Sequence, residues 1–458
     1  MGSSHSSRTH LRSLLAGLLA TVMLVVPFSQ VPHAAAADAS LVIAALHVLE
    51  QQYVDPVQPV PLLNAALATL RKATRLGGDA LPDIAPGTPA ADAASQFTAE
   101  FARAVQTGAM PETQLAYLAT SGMLASLHDS HTHFLTPQQL REERRQLFGN
   151  PVFTGIGVTI TQRKDASGTG WIFVEDVFPG SPAEAAGVHR FDRIVQVDGK
   201  SLRNVDVVDA SQLIRGPAGS TASLVVQRDA QMVQLSVTRA PIRVLPVQTR
   251  WLRPGVAYVK IFGFSQGAGR EIRQDLERLG VGQIRSVVLD LRGNPGGLIV
   301  EAASVGGVFL PPRTVLARIH ERGEEPSALR TTGIPLVPTT PLVVLVDGLS
   351  ASASEILTGA FKDYQRATIV GEKTAGALGG SVTVALPEGG MSVTVERILT
   401  PKNAQVEGTG IAPDVPVTLT VADMERGQDT QLEAALHALG QAGAPRSAPQ
   451  GRKPAASR

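Results

Sequence analysis

Three serines at alternate positions, Ser350, Ser352 and Ser354, lie between an apolar run, Pro341–Asp347, and a helix-like stretch, Glu355–Phe361. A second β-rich run, Ala367–Val370, follows. The order reads as buried strand, tight turn, helix, strand. A serine at the start of such a helix carries its hydroxyl at the sheet edge, where the unbonded N–H groups of the first turn point at whatever it attacks. The same three serines also suit plain helix capping. A second polar cluster, His128, Asp129, His131 and His133, occupies Leu127–Pro137. His-x-x-His-x-His lacks the Glu of a zinc-protease helix, and no second cluster supplies further ligands, so the spacing argues against a metal. Two readings remain: surface histidines at a helix end, or a catalytic His that needs the distant Ser. A third feature, Arg292–Gly297, holds glycines that let backbone N–H groups approach a ligand closely. It lacks the Gly-Lys-[Ser/Thr] ending of a phosphate loop.

These residues need a scaffold, and the chain is long enough for two or three domains at 458 residues. Lys+Arg 41 against Asp+Glu 40 leaves almost no net charge, so nothing argues for a nucleic-acid partner. There is no cysteine, which removes disulfides, thiolate nucleophiles and Cys-bound metals. Arg8, His10 and Arg12 precede an apolar run, Leu14–Val26; Pro27 and Ala34–Ala37 follow. This is the pattern of a secretory signal, and the run is short of the roughly 20 residues of a spanning helix. The expected location is therefore outside the cytoplasm: periplasm, cell envelope or secreted. The rival is an uncleaved segment that ties the chain to a membrane.

From Ser40 to Leu127 the periodicity is helical, with a loop expected over Gly77–Ala94. From Val256 onward, strands alternate with helices: Val256–Ile261, Gly267–Leu279, Ser286–Leu291, Leu298–Val308 and Pro341–Asp347. That alternation implies βαβ crossovers and a layered sheet, with the site at the carboxyl ends of the strands. Arg292–Gly297 and Gly348–Ser352 both fall there. The tail after about Ala442 reads as disordered.

Residues 152–242 form a set of short β-runs interrupted by two short helices. With Gly155–Val158, Phe178–Ala183, Ala186–Val188 and Asp192–Lys200, the unit resembles a PDZ domain of secreted bacterial proteases. The resemblance implies that Gly155, Ile156, Gly157 and Val158 offer amides to a peptide's terminal carboxylate, while the adjacent strand pairs with the peptide.

Residues 40–420 as a whole resemble a carboxyl-terminal processing peptidase, a tail-specific protease of family S41. The marks are Val288–Gly297, Ser350–Ile356, Asp363-Tyr364, Val370–Thr374 and Gly408–Asp414. The implied fold is an α/β protease core, a ClpP/crotonase-like layered sheet, with an inserted β-rich PDZ domain and a helical N-terminal region. Implied boundaries are a signal over 1–37, helices over 38–150, PDZ over 151–243, core over 244–425, and a C-terminal helix with disordered tail over 426–458. The resemblance makes Ser352 the nucleophile and places an oxyanion hole at the amides of Ala353 and of Gly296 or Gly297. It implies no cofactor. The partners would be proteins or peptides with exposed carboxyl termini, and a homo-oligomer stays open.

One departure matters. The family's usual general base is a Lys, and its position here is Ala377. A Ser hydroxyl without a base is a poor nucleophile. Lys373 is one replacement. The tricorn-like branch of the family suggests another: a His from a Ser-His pair, here Ser130-His131, with a Glu late in the core, here Glu407. An imidazole is suited to general base work near neutral pH, with Ser130 and Glu407 orienting and polarising it. The third reading is a pseudo-peptidase that keeps the core and the PDZ domain as an envelope scaffold.

Overall fold

The computed structural model describes residues 39–148, 152–243 and 246–442. The signal-like segment and the terminal tail lie outside the described residues. No helix among the described residues is long and apolar enough to cross a membrane.

The core is a six-stranded sheet in the order Val247–Arg253, Val256–Ile261, Ser286–Asp290, Leu342–Val346, Thr368–Gly371, Val415–Pro416. All neighbours are parallel except the first pair. Leu342–Val346 is apolar throughout because both of its faces are covered. Val344 and Val346 pack with helices Ala268–Leu279, Ile299–Phe309 and Ala353–Asp363. Val343 and Leu345 pack with Ala435 and Leu439 of helix Thr430–Ala442. Because Ser286–Asp290 and Leu342–Val346 are parallel neighbours, with Asp290 beside Leu345, the loops leaving their carboxyl ends lie side by side.

A second, five-stranded sheet went unread in the sequence. It joins His133–Leu135, Gly390–Leu399, Val315–Glu321 and Ser327–Arg330, with Gly379–Ala385 paired to Gly390–Leu399. One side of Gly390–Leu399 buries Met391 and Val393 against the N-terminal helices. The other side turns Ser392 and Glu396 toward the cleft described below. The helix expected from Ala94 begins earlier, at Ala90, directly after Pro89, so the interhelical loop is shorter than expected.

The β-rich unit carries strands in the order Val158–Lys164, Gly170–Val177, Arg193–Val197, Thr221–Arg228, Gln231–Thr238, and helix Val207–Ile214 packs over its own core. It meets the α/β core through charged groups. Lys260 lies between Asp176 and Asp290, and Arg190 and Arg292 share Asp429.

Candidate active site

The three serines have separate fates. Ser350 is fully buried, and its hydroxyl donates to Leu291 O at 2.8 Å. Ser354 is also fully buried, and its hydroxyl donates to Asn294 O at 3.0 Å. Both stitch the two loops together. Ser352 alone faces the cleft. It precedes helix Ala353–Asp363 with φ 52° and ψ −114°. Such a conformation costs a residue with a side chain about 1–3 kcal/mol.

Glu355 helps hold Ser352 in place. It is fully buried, and its carboxylate accepts from Ser352 N at 3.1 Å, Thr374 Oγ1 at 2.6 Å, Gly376 N at 2.8 Å and Ala377 N at 3.0 Å. Burial pushes its carboxyl up, against the pull of those same hydrogen bonds. The Gly376 and Ala377 amides, which have no other acceptor among the described residues, would each cost about 1–3 kcal/mol if left unpaired. Sequence reading gave Glu355 no role, although Ser352-x-x-Glu355 has the spacing of a helix capping box.

The oxyanion expectation needs one correction. The Gly296 amide donates to Asn294 Oδ1 at 2.9 Å, so it is not free for a substrate oxygen. The amides of Gly297 and Ala353 have no hydrogen-bond acceptor among the described residues. Gly296 matters by its size: a Cβ there would stand 2.7 Å from Ser352 Cβ and 3.0 Å from Ala353 N. Its φ of 101° also favours glycine.

His131 lines the same cleft as Ser352 and Gly297. Its amide donates to Asp129 Oδ1 at 2.9 Å, while Asp129 Oδ2 accepts from Thr132 Oγ1 at 2.7 Å. Thr394 N donates to Thr132 Oγ1 at 3.0 Å, which ties the turn to strand Gly390–Leu399. Burial alone would raise the Asp129 carboxyl; hydrogen bonds from Thr394 and Thr132 outweigh it and hold it low. The imidazole sits over Gly379, where a Cβ would come within 2.9 Å of His131 Cδ2. His131 Nε2 is buried without a hydrogen-bond partner, 3.8 Å from Glu407 Oε2. Glu407 Oε2 in turn accepts from Leu378 N at 2.5 Å.

Ala377, where the resemblance leads one to expect a Lys, contributes its backbone: its carbonyl accepts from Ser352 N at 2.9 Å. Lys373 is exposed and does not line the cleft; its stem lies against Gly410. Ser130 is exposed as well and stands apart from the cleft, unlike its neighbour His131. His128 is also exposed.

Ile156 and Gly157 have amides without acceptors among the described residues, next to the open edge of Val158–Lys164. Gly155 is used differently, in a strand pair with Ala240, and Val158 already belongs to the sheet opposite Val177.

The peptidase family S41 pattern matches residues 255–417, and a PDZ domain pattern matches residues 173–228. A carboxyl-terminal-processing protease of Picosynechococcus sp. is 37% identical over 337 residues, spanning 71% of this chain and 79% of that one. The chain belongs to peptidase family S41. A protease of the same name from Synechocystis sp. is 33% identical, over 70% of this chain and 76% of its own. The solved photosystem II D1 C-terminal processing protease superposes with a TM-score of 0.52 at 28% identity, over 89% of this chain and 98% of that chain. This S41 peptidase is a serine-type endopeptidase with an α/β core and a β-rich PDZ domain.

Proposed function

We propose that this S41 peptidase is exported and cleaves proteins near their carboxyl termini by acyl transfer through Ser352, with His131 in place of the missing Lys. The observation that carries this reading is the shared cleft. Ser352 stands in it beside the unbonded Gly297 and Ala353 amides, with His131 on its wall and Lys373 outside it.

In the first step Ser352 Oγ bonds to the scissile carbonyl carbon as its proton passes to His131. The carbonyl oxygen becomes an oxyanion held by the Gly297 and Ala353 amides. Loss of one such donor typically costs 10²–10³ in rate, or about 2.7–4 kcal/mol. Glu407 balances the imidazolium. His131 then gives its proton to the departing amine, the C–N bond breaks, and the acyl-enzyme remains on Ser352. Water, losing a proton to His131, releases the acid and restores the hydroxyl. Ser130 has no part in this sequence.

On this reading residues 151–243 act as a docking module. An extended substrate tail would pair with the Val158–Lys164 edge and place its terminal carboxylate at the Ile156 and Gly157 amides. Export rests on the signal-like N-terminus alone.

The test is proteolysis of an unstructured protein substrate by the wild-type chain and by Ser352→Ala. Cleavage should fall at least ~10⁴-fold in the variant, the scale seen when a nucleophile is removed. A folded wild-type chain that binds carboxyl-terminal peptides but cleaves nothing would favour the scaffold reading instead.

A further inference from the structure

Two carboxylates, Glu143 and Glu396, line the cleft around Ser352, and a third, Glu407, stands beside His131. Glu143 accepts from Thr383 Oγ1 at 2.8 Å, and Glu407 accepts from Leu378 N. Glu396 is different. It is only 5% exposed, lines the cleft, and has no hydrogen bond or ion pair among the described residues. Its carboxylate lies over Gly380, where a Cβ would fall 2.3 Å from Glu396 Oε2, so only glycine leaves it room. Its carboxylate keeps only a sliver of contact with the solvent of the cleft, and a largely desolvated acid of this kind gains when a ligand completes it.

The adjoining backbone is incomplete in the same way. Strand Gly379–Ala385 pairs with Gly390–Leu399 on one side only, and its other edge is open. Gly379 through Thr383 all line the cleft beside Ser352. An extended peptide laid along that edge alternates its side chains between the two faces of the enlarged sheet. One of them would reach the wall that carries Glu396. The cleft, at about 250 Å³, has room for a long side chain.

We propose that Glu396 is a specificity-determining residue that receives a Lys or Arg side chain of a peptide paired with the Gly379–Ala385 edge. This deepens the protease reading and rests on it. A charge-assisted hydrogen bond to a desolvated carboxylate is among the stronger polar contacts, whereas a neutral side chain leaves Glu396 unpaired. Opposite Glu396 on the neighbouring strand stands Glu321, and His131, His133 and Glu143 face the same cavity. Burial, with Glu321 adding to it, pushes the Glu396 carboxyl up to about 7. Preference for a basic residue should then be full at pH 8 and fade as the pH falls through neutrality. Replacing Glu321 with Gln should move that fade to lower pH.

The experiment reads binding without turnover, so that it does not depend on catalysis. Fluorescein-labelled eight-residue peptides, each with one Lys scanned through an Ala background, are titrated into the full-length Ser352→Ala protein. The matching norleucine peptides serve as controls. At one position Lys should bind at least ~10-fold tighter than norleucine at pH 8, and the added change Glu396→Gln should bring the ratio to about one. Glu321→Gln on the same background should keep the ratio and shift its pH midpoint. Equal binding of Lys and norleucine at every position, or a preference that survives Glu396→Gln, overturns the assignment. Cleavage of the norleucine peptides by the chain with Ser352 intact would show that the protease reading stands even then.

Discussion

Two sheet edges in this molecule lie open, and they differ in what they are equipped to read. The edge of Val158–Lys164 follows a loop whose Ile156 and Gly157 amides are unbonded, beside the short helix Val207–Ile214. It presents donors to an anion and nothing that could break a bond. The edge of Gly379–Ala385 runs past Ser352, His131 and Glu396. It presents a serine hydroxyl, an imidazole and an unpaired acid. Both edges leave backbone unpaired, and they differ in the groups at their ends. On the proposed reading, one edge takes the end of a chain and the other its interior.

The two edges are physically joined. Glu175 lies on strand Gly170–Val177, which pairs with the PDZ edge strand. Its carboxylate sits where a Cβ on Gly293 would come within 2.9 Å. Gly293 belongs to the loop that supplies the Gly297 amide. Asp347, before the turn that carries Ser352, accepts from Gly293 N at 2.9 Å.

The two edges should separate most clearly when Gly296 is changed. Gly296→Ala pushes a methyl group against Ser352 and the Ala353 amide. We expect kcat to fall by about 10²–10³, as when an oxyanion donor is lost. Binding of a carboxyl-terminal peptide at the PDZ edge should be unchanged. Both are read from peptide turnover and fluorescence anisotropy on one preparation, and a fall in both would mean the edges are not separate. Next comes the substrate terminus. Amidating it removes the charge that the Ile156 and Gly157 amides would hold. KM should rise roughly 10-fold with kcat little changed, the pattern of lost uniform binding. An equal fall in kcat would place the terminus in the cleft instead.

The smallest effect concerns the joint. Burial pushes the Glu175 carboxyl up, with Lys260 opposing and Asp347 and Asp176 adding to the rise. A carboxyl raised on folding makes the folded state less stable as pH climbs from the ordinary carboxylate range through the raised value. Glu175→Gln should therefore raise Tm at pH 8 by roughly 1–2 °C and have less effect at pH 4. Glu175 is only half-buried, which keeps the effect small. Thermal melts at the two pH values decide it, and a lowered Tm at pH 8 would mean that the attraction of Lys260 for the charged carboxylate dominates.

The strand, turn and helix around Ser352 were readable because local pattern and local chemistry agree there: a continuous apolar run, small residues at a turn, then a helix. The PDZ strands were readable for the same reason. The second sheet had a local signal in the alternating Ser381-Val-Thr-Val384, but its pairing did not. Thr132 and Thr394 meet 262 positions apart, and no window of sequence reports that contact. That pairing is what carries His131 to the cleft. Which glycine amide is free was equally hidden, since it turns on Asn294 Oδ1 claiming Gly296. Ser130 misled through adjacency, because it is exposed where its neighbour lines the cleft. Glu396 could have been suspected as a charge on the inward phase of an otherwise apolar or small-polar strand.

On the proposed mechanism, His131 activates Ser352 in place of the Lys that the family resemblance implies. The direct measurement is the rate of covalent labelling by a fluorophosphonate, with intact mass to count the adduct. It is made on the wild type, Ser352→Ala, His131→Ala and Lys373→Ala, each checked for folding by its melt. One adduct is expected on the wild type and none on Ser352→Ala. Labelling should be at least ~10³-fold slower for His131→Ala and within about 3-fold of wild type for Lys373→Ala. Labelling that survives His131→Ala and is lost in Lys373→Ala would contradict that mechanism and make the pair Ser352 with Lys373.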